Sequence, residues 1–268
     1  DFDNCVQMIK DRLNVQPAVI QLPIGSEENF KGVIDLVKNK AIIWKEEKLG
    51  TEFDIIDIPQ EYKQQSQKAR NKLIELVIEE DNTIMEKYLN GETPTEEEIK
   101  KCIRKGTVSF NFVPVLCGSA FKNKGVQSLL DAVISYLPSP LEAASTKATD
   151  IKTQEEVLLS CDPDKPTVAM AFKLTEEQFG QLTYTRVYQG KLSKGDQVTN
   201  SRTVNKMRVG RMVRMHSNDR ENIDVAEAGD IIAMVGVDCA SGDTFCGEGI
   251  RVSCESIFVP DAVISLAV

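Results

Sequence analysis

The sequence predicts an α/β unit followed by an all-β barrel, and three observations support this fold class. A continuous apolar run, 112–117, precedes a small-residue loop at 118–120 and a helical pattern over 126–136. A buried strand, a loop and a helix in that order are typical of an α/β unit with a parallel sheet. After residue 166 the pattern changes to short alternating strands separated by glycine turns, which indicates a small β-barrel. The length of 268 residues fits two domains.

Composition argues against a general nucleic-acid-binding protein and against a membrane-spanning protein. Hydrophobic residues make up 41% and charged residues 27%, as in an ordinary globular chain. The net charge of −9 argues against a general nucleic-acid binder, DNA included, so any RNA contact requires a local basic patch. Because no apolar run approaches 18 residues, we expect no membrane span.

The seven cysteines are scattered and form no C-x-x-C motif, and His216 is the only histidine. This pattern predicts reduced thiols and no metal site. The first residue, Asp1, leads directly into a helical pattern, and we expect the chain to be a segment of a longer protein.

Apolar spacing predicts the elements of the first half in order. Helices are expected at 2–13, 60–81, 82–89, 94–105 and 126–136, and strands at 19–22, 33–37, 41–44 and 112–117. Thr95-x-x-Glu98 has the form of a capping box at the start of the fourth helix. On the last helix, Leu129, Leu130, Val133 and Leu137 lie on one side.

Prolines and polar residues mark a boundary between the two halves. Residues 1–140 are assigned to the first domain, 141–165 to a linker and 166–262 to the barrel. The barrel strands are expected at 168–174, 180–188, 196–200, 207–215 and 231–237. A further strand is expected over 262–268.

The loop beyond the buried strand is the first place to look for chemistry, because ligands in parallel sheets bind at the carboxyl ends of strands. Gly118, Ser119 and Ala120 would let backbone amides approach a planar ligand, although tight packing alone also explains small residues there. No G-x-x-x-x-G-K-[ST] loop occurs, and no nucleophile motif accompanies His216. We therefore predict no catalytic residue in this chain.

A run of basic residues in the barrel forms a second candidate site. Its members are Arg202, Lys206, Arg208, Arg211 and Arg214. On one continuous strand, Arg208 and Arg214 would share a face and could clamp a phosphate. A solvated barrel strand explains the same spacing equally well.

Several longer motifs resemble translation elongation factor G. They are Asn29-Phe-Lys-Gly-Val-Ile-Asp-Leu36, Met85-Glu-Lys-Tyr88, Cys117-Gly-Ser-Ala-Phe-Lys-Asn-Lys-Gly-Val-Gln127, Leu129-Leu-Asp-Ala-Val133, Tyr136-Leu-Pro-Ser-Pro140, Arg214-Met-His216 and Ala228-Gly-Asp-Ile231. The similarity extends along the whole chain. The stretches 180–184 and 237–245 are more similar to the mitochondrial branch than to the bacterial or plastid one.

The resemblance implies a ribosome-dependent GTPase that moves tRNA and mRNA after peptide transfer. It implies a P-loop GTPase G domain whose C-terminal part is 1–140, with an inserted α+β subdomain at about 22–110. Domain II would be 166–262, and 263–268 would lead to domain III. Gly118, Ser119 and Ala120 match the residues that contact the guanine base in this family. GTP with Mg²⁺ is expected in the intact protein, and no cofactor is expected on this segment alone.

The resemblance also implies partners. Glu75 and Glu79 match acidic positions on the long helix of the inserted subdomain that meets the ribosomal stalk protein. Local pairing with Lys68 and Lys72 is the alternative for these carboxylates. The basic run in the barrel is the candidate contact with small-subunit rRNA. The chain is expected to be monomeric and to act in the mitochondrial matrix, with the plastid or the bacterial cytoplasm as alternatives.

Two other functions remain open at this point. A mitochondrial ribosome-recycling paralogue of elongation factor G would share both domains. A non-enzymatic adaptor could use the acidic helix and the barrel only to dock on ribosomes.

Overall fold

The computed structural model describes residues 1–45, 50–143, 145–177 and 180–254. It divides into two compact units, Asp1–Pro138 and Ser139–Val268. The strand expected over 262–268 lies outside the described residues, as does the expected link to a third domain over 263–268.

The first unit combines five helices with two small sheets in its described part. The helices are α1 (Phe2–Leu13), α2 (Lys63–Val77), α3 (Asn82–Leu89), α4 (Glu96–Val108) and α5 (Val126–Tyr136). The strands are β1 (Pro17–Val19), β2 (Gln21–Ile24), β3 (Gly32–Asp35), β4 (Lys40–Trp44), β5 (Phe53–Ile56) and β6 (Val113–Val115). The predicted helices are confirmed; the one expected over 60–81 consists of α2 with a 3₁₀ turn at each end.

The single strand expected over 19–22 is wrong, because the chain passes from one sheet to another there. β1 pairs in parallel with β6, whereas β2 begins a four-stranded antiparallel sheet in the order β2-β3-β4-β5. Ile20 lies between them: its N–H donates to the Val115 carbonyl at 3.0 Å, and its own carbonyl accepts from the Leu36 N–H at 3.0 Å. One residue therefore joins the two sheets.

The first unit has one principal core. Buried side chains of α2 and α4, such as Val77 and Ile103, pack with Ile34 of β3, Ala18 of β1 and Tyr136 of α5. The core therefore connects the parallel pair of strands to the helices and to the antiparallel sheet.

Helix α5 exposes the side that the sequence marks as apolar. Leu129, Leu130 and Val133 are exposed, while Ala132 and Tyr136 on the other side are buried. A parallel sheet of two strands offers too little surface to cover both sides of this helix. The apolar stripe thus indicates a helix but does not indicate which side is buried.

The predicted capping box at the start of α4 is confirmed. The Glu98 N–H donates to Thr95 Oγ1 at 3.2 Å, and the Thr95 N–H donates to Glu98 Oε2 at 2.9 Å. This second bond, with the hydrogen bond from Lys87, lowers the pKa of Glu98 to about 2.

The second unit is built from strands, which confirms its predicted class. They are β7 (Thr146–Asp150), β8 (Glu156–Leu159), β9 (Val168–Glu177), β10 (Gly180–Gln189), β11 (Lys191–Ser193), β12 (Gln197–Asn200), β13 (Lys206–Arg208), β14 (Met212–His216), β15 (Asp219–Ile223), β16 (Val225–Glu227), β17 (Ile231–Val235), β18 (Thr244–Cys246) and β19 (Val252–Cys254). The main sheet has the order β13-β12-β18-β9-β10-β17-β14-β15. Its inner face buries residues such as Val187, Met212, Ile232 and Phe245.

The strand expected over 207–215 is two strands at distant places in the sheet. β13 pairs with β12, whereas β14 pairs with β15 and β17. Gly210 and Arg211 lie between them and belong to neither. Alternation changes phase across this break, since Val209 and Met212 both pack into the same core although three positions separate them.

The structure differs from the linker expected over 141–165. β7 and β8 form an antiparallel hairpin there, and β19 adds to it as a third strand. Ala148 and Leu159 are buried in a cluster with Met170 and Val252. Sequence patterns do not indicate this hairpin, because its strands are short and poor in aromatic residues, and the exposed Leu158 interrupts the alternation of polar and apolar residues.

Within the described residues, no helix is long and apolar enough to cross a membrane.

Candidate functional site

The loop between β6 and α5 forms a closed ring at the carboxyl end of the parallel pair. The Ser119 N–H donates to the Lys124 carbonyl at 2.8 Å, and the Lys124 N–H donates to the Ser119 carbonyl at 3.0 Å. Between them, residues 120–122 make one 3₁₀ turn and Asn123 takes a left-handed conformation with φ 52°. The loop is therefore fixed by its own backbone before any ligand binds.

Two glycines make this ring possible. A Cβ on Gly118 would lie 2.7 Å from the Lys124 carbonyl oxygen, closer than any real contact allows. Gly125 has φ +91°, and a Cβ there would lie 3.1 Å from both the Cys117 carbonyl oxygen and the Gly118 Cα. Glycine is required at both ends of the loop because the backbone passes too close to itself for a side chain.

The two lysines of the loop serve as anchors. Lys124 is 5% exposed, and its Nζ donates to the Phe30 carbonyl at 3.0 Å. Lys122 Nζ donates to the Glu28 carbonyl at 3.0 Å. Because both ammonium groups hold the loop against the segment between β2 and β3, neither is placed as a free phosphate ligand.

The open polar groups of the loop lie at the three small residues. Among the described residues, no hydrogen-bond partner is found for the Ser119 hydroxyl or for the backbone N–H groups of Gly118 and Ala120. A hydroxyl and two amides on a fixed loop suit the edge of a planar, hydrogen-bonding ring such as a purine base.

The thiol beside this loop is not activated as a nucleophile. Burial raises the pKa of the Cys117 thiol to about 12, so it stays protonated at neutral pH. No cluster of three metal-ligating side chains occurs in the part of the chain that the structure describes. The groups that the loop exposes, a hydroxyl and backbone amides, therefore suit recognition of a ligand by hydrogen bonds.

Glu75 and Glu79 are exposed, the first on α2 and the second in the 3₁₀ turn that follows it, while Leu73 and Val77 are buried. Neither carboxylate makes an ion pair with any described residue, Lys68 and Lys72 included. Local pairing thus does not occupy these carboxylates, and both are available to a partner.

The structure does not bring the five basic residues together. Lys206 and Arg208 lie on β13 at one end of the main sheet, and Arg214 lies on β14 towards the other end. The side chain of Arg208 points away from the core that Met207 contacts, whereas Arg214 shares the face of Met212. The expectation that Arg208 and Arg214 share a face is therefore wrong, because the strand is broken between them.

Three of these basic residues bind polar or acidic side chains within the barrel. Arg202 binds Asp243, Arg211 Nε donates to Asn222 Oδ1 at 2.7 Å, and Arg214 lies 3.8 Å from Glu221. Arg208 keeps an exposed guanidinium whose Nε donates to the Gly195 carbonyl at 3.2 Å. Lys206 and Arg208, both exposed, are thus the two members that bind no side chain of the described residues.

Sequence reasoning missed the residues that hold the loop in place. Gln127 Nε2 donates to the Gly50 carbonyl at 2.8 Å, and Lys124 reaches Phe30 across 94 positions. Local patterns carry no signal for such contacts, because each partner is a backbone carbonyl far away in sequence.

Comparison with protein-family models gives two matches. Residues 4–139 match the model described as the elongation factor Tu GTP binding domain, and residues 180–246 match the elongation factor Tu domain 2. The first match covers half of the chain, and its residues include the loop at 118–120.

A solved structure of a protein from Thermus thermophilus has a similar fold. It is 24% identical in sequence, with a TM-score of 0.70 over 92% of this chain. The matched region is 34% of that protein, so this chain spans about a third of its length. This likeness extends across both units of the fold.

Proposed function

The chain belongs to the family of the elongation factor Tu GTP-binding domain, and from this premise we propose that it is part of an elongation factor G. In this proposal the whole factor is a ribosome-dependent GTPase that moves tRNA and mRNA during protein synthesis. The residues of this chain recognise the guanine base and dock the factor on the ribosome.

The observation that carries this proposal is the fixed loop after β6. Its open groups, the Ser119 hydroxyl and the amides of Gly118 and Ala120, are donors and an acceptor suited to a guanine edge. The loop stands within a long stretch that resembles elongation factor G, from Cys117 to Gln127. Rigid closure by Ser119 and Lys124 would place these groups without an ordering cost on binding.

GTP and Mg²⁺ would be held mainly outside this chain. The bound nucleotide supplies the phosphoryl group that is transferred to water, and Mg²⁺ offsets its charge. The residues here fit the base only: the sequence has no phosphate-binding loop, and both loop lysines are used as anchors. Ser119 and its neighbours orient the nucleotide through the base, and this chain alone would not hydrolyse it.

Docking is assigned to two surfaces. The unpaired carboxylates of Glu75 and Glu79 would meet a basic surface of the ribosomal stalk protein. Lys206 and Arg208 would contact phosphates of small-subunit rRNA, with Arg202, Arg211 and Arg214 in supporting positions. The factor is proposed to act as a monomer.

A mitochondrial origin is supported by two stretches of the second unit. The proposal rests on the resemblance of residues 180–184 and 237–245 to the mitochondrial branch of elongation factor G. We therefore propose the mitochondrial matrix as its location.

The test uses the whole factor with purified ribosomes. A translocating factor shifts the mRNA by one codon in the presence of GTP, while a recycling paralogue instead separates the subunits. Translocation without subunit splitting is the expected result. Splitting alone would assign the recycling function, and the absence of ribosome-stimulated GTP hydrolysis would favour a docking adaptor.

A further inference from the structure

A polar pocket in the second unit lies where the small sheet of β7 and β8 approaches β10. Its volume is about 250 Å³, and its walls include Ser145, Ser160, Cys161, Arg186, Tyr188 and Gly229. No aspartate or glutamate lines it among the described residues. The whole protein has a net charge of −9, but this pocket contains a cation and no carboxylate and is therefore locally positive.

Arg186 is the charged residue of this pocket. Its neighbours Thr185 and Val187 are buried in the barrel, so its side chain lies on the opposite, outer face of β10. The guanidinium carbon lies 5.3 Å from the centre of the Tyr188 ring. This cation–π contact holds the side chain along the pocket wall.

The guanidinium of Arg186 has no anionic partner. Its Nε is buried and makes no hydrogen bond, and no carboxylate of the described residues lies within ion-pair distance. A buried charged donor without an acceptor is unfavourable, and an anion in the pocket would satisfy it.

A second cation stands beside the same pocket. Lys165 Nζ donates to Ser160 Oγ at 2.7 Å, and in the described part of the chain it has no ion pair. Because Ser160 Oγ accepts from Lys165, its own hydroxyl hydrogen is free to donate elsewhere. The Ser160 backbone is fixed in turn, since its N–H donates to Gln189 Oε1 at 3.2 Å.

Gly229 also lines the pocket. A Cβ there would lie 3.0 Å from Pro140 Cβ and 3.3 Å from Cys161 Sγ. Gly229 also has φ +98°, so a side chain at this position would be strained as well as crowded. A side chain at position 229 would therefore push against Pro140 and Cys161, which also line the pocket.

From this geometry we infer that the pocket binds a phosphate group. A guanidinium fork matches two oxygens of a tetrahedral phosphate, and the Ser160 hydroxyl can donate to a third. Lys165 adds a second positive charge, which strengthens the attraction for the charged oxygens of a phosphate. The phosphate belongs either to a small phosphorylated molecule or to the backbone of an RNA strand. This inference does not depend on the proposed GTPase.

Binding can be measured on the Nε–Hε resonances of the arginines by NMR. Inorganic phosphate should shift the Arg186 resonance saturably, whereas acetate at equal ionic strength should not. A 12-nucleotide single-stranded RNA, titrated in parallel, separates the two sources: competition with phosphate at Arg186 indicates backbone recognition, and its absence indicates a small molecule. An equal response to acetate would overturn the inference.

Substitution provides the second arm of the test. Arg186→Gln should weaken phosphate binding by at least about tenfold, the loss expected for one charge-assisted hydrogen bond. Lys194→Gln removes one positive charge from an exposed site in the same unit and should leave the affinity unchanged. Equal weakening by both variants would indicate general attraction of anions and overturn the assignment.

A third measurement needs no substitution and so remains valid if Arg186→Gln fails to fold. Saturating phosphate should slow alkylation of half-buried Cys161 by iodoacetamide several-fold. Exposed Cys5 in the first unit is the internal control and should react at an unchanged rate. If phosphate leaves the Cys161 rate unaltered, the anion does not occupy this pocket.

Discussion

The carboxylate of Asp243 accepts two hydrogen bonds from Arg202, one from Nε at 2.5 Å and one from Nη2 at 2.8 Å. Asp243 is 3% exposed, whereas the side chain of Arg202 is 61% exposed. The same carboxylate also accepts from Asn200 Nδ2 and from the Ala240 N–H. Arg202 therefore contributes to the barrel by neutralising a buried charge, besides any role in RNA binding.

Replacing Asp243 by asparagine should destabilise the second unit by about 2 kcal/mol. The substitution removes the negative charge that accepts hydrogen bonds from Arg202 and Asn200. Urea denaturation followed by circular dichroism measures this change. Asp219→Asn is the matched control, since Asp219 is exposed and has no ion pair with the described residues. Equal stability of the two variants would contradict a stabilising role for the Asp243 carboxylate.

The same pair predicts a pH dependence. The hydrogen bond from Arg202 is the main cause that lowers the pKa of Asp243 to about 2, from an ordinary value of 3.8. A depressed pKa stabilises the folded state above the ordinary value, and this contribution is lost as the pH falls from about 4 towards 2. The difference in unfolding free energy between the wild type and Asp243→Asn should therefore shrink across this range.

The sequence predicts those parts of the fold that depend on residues close together in the chain. Helix α4 follows from its capping residues Thr95 and Glu98, and the structure has both hydrogen bonds. Helix α5 is found from its spacing, yet its buried side is set by what else packs against it. Burial of Tyr136 but not of Leu130 is a property of the tertiary structure, which spacing alone does not contain.

The candidate sites likewise differ in how far local sequence predicts them. The loop at 118–120 is recognisable because its strand, small residues and helix are contiguous. The basic run is contiguous too, but a break at Gly210 and Arg211 sends its two halves to different parts of the sheet. Side chains two positions apart share a face only along an unbroken strand. Where the strand is interrupted, the alternation can restart on the other face, and a prediction of which side chains share a face is then reversed.

Gly118→Ala should disturb the closed loop. The added Cβ would meet the Lys124 carbonyl oxygen, which is backbone and moves only if the loop opens. We expect a loss of about 1–3 kcal/mol in the unfolding free energy of the first unit. Hydrogen exchange at the Ser119 and Lys124 amides should also become faster, because each donates across the ring.

The control for this change is Gly210→Ala, where no atom lies within 4 Å of the added Cβ. It should alter neither the stability of the first unit nor the exchange of the two loop amides. Unchanged exchange at Ser119 and Lys124 in Gly118→Ala would show that the loop tolerates a side chain there.

Charge reversal on α2 and the turn that follows it tests the proposed contact with the stalk protein. Glu75→Lys with Glu79→Lys should abolish binding of the ribosomal stalk protein in a pull-down, while thermal unfolding stays within a few degrees of the wild type. Both carboxylates are exposed and lack ion pairs with described residues, so their loss removes no internal contact.

A matched double reversal, Glu86→Lys with Glu92→Lys, changes the net charge equally at other exposed positions of the same unit. It should retain stalk-protein binding. If both double variants lose binding, stalk-protein binding depends on net charge alone, and Glu75 and Glu79 are not its specific contacts.

The separation of Arg208 and Arg214 predicts unequal effects on binding to small ribosomal subunits. Arg208→Ala removes an exposed cation and should lower the slope of log affinity against log salt by about 1, as for one phosphate contact. Arg214→Ala should have a smaller effect, because Glu221 partly neutralises this residue and it lies on another face. Equal losses of affinity from the two substitutions would indicate that the ribosome contacts both faces of the barrel.

The chain by itself should bind GTP too weakly for a saturable signal in calorimetry. Recognition of the base by Ser119 and its neighbours offers a few neutral hydrogen bonds, each with a modest net contribution in water. Most nucleotide affinity in GTPases of this kind comes from charged contacts to the phosphates and Mg²⁺, and Lys122 and Lys124 are already engaged with carbonyls. The whole factor is the positive control, and Gly118→Ala in that factor should weaken GTP binding by misplacing the base. Saturable micromolar binding to residues 1–268 that Arg186→Gln does not weaken would show a further phosphate site, which neither the sequence motif nor the loop geometry indicates.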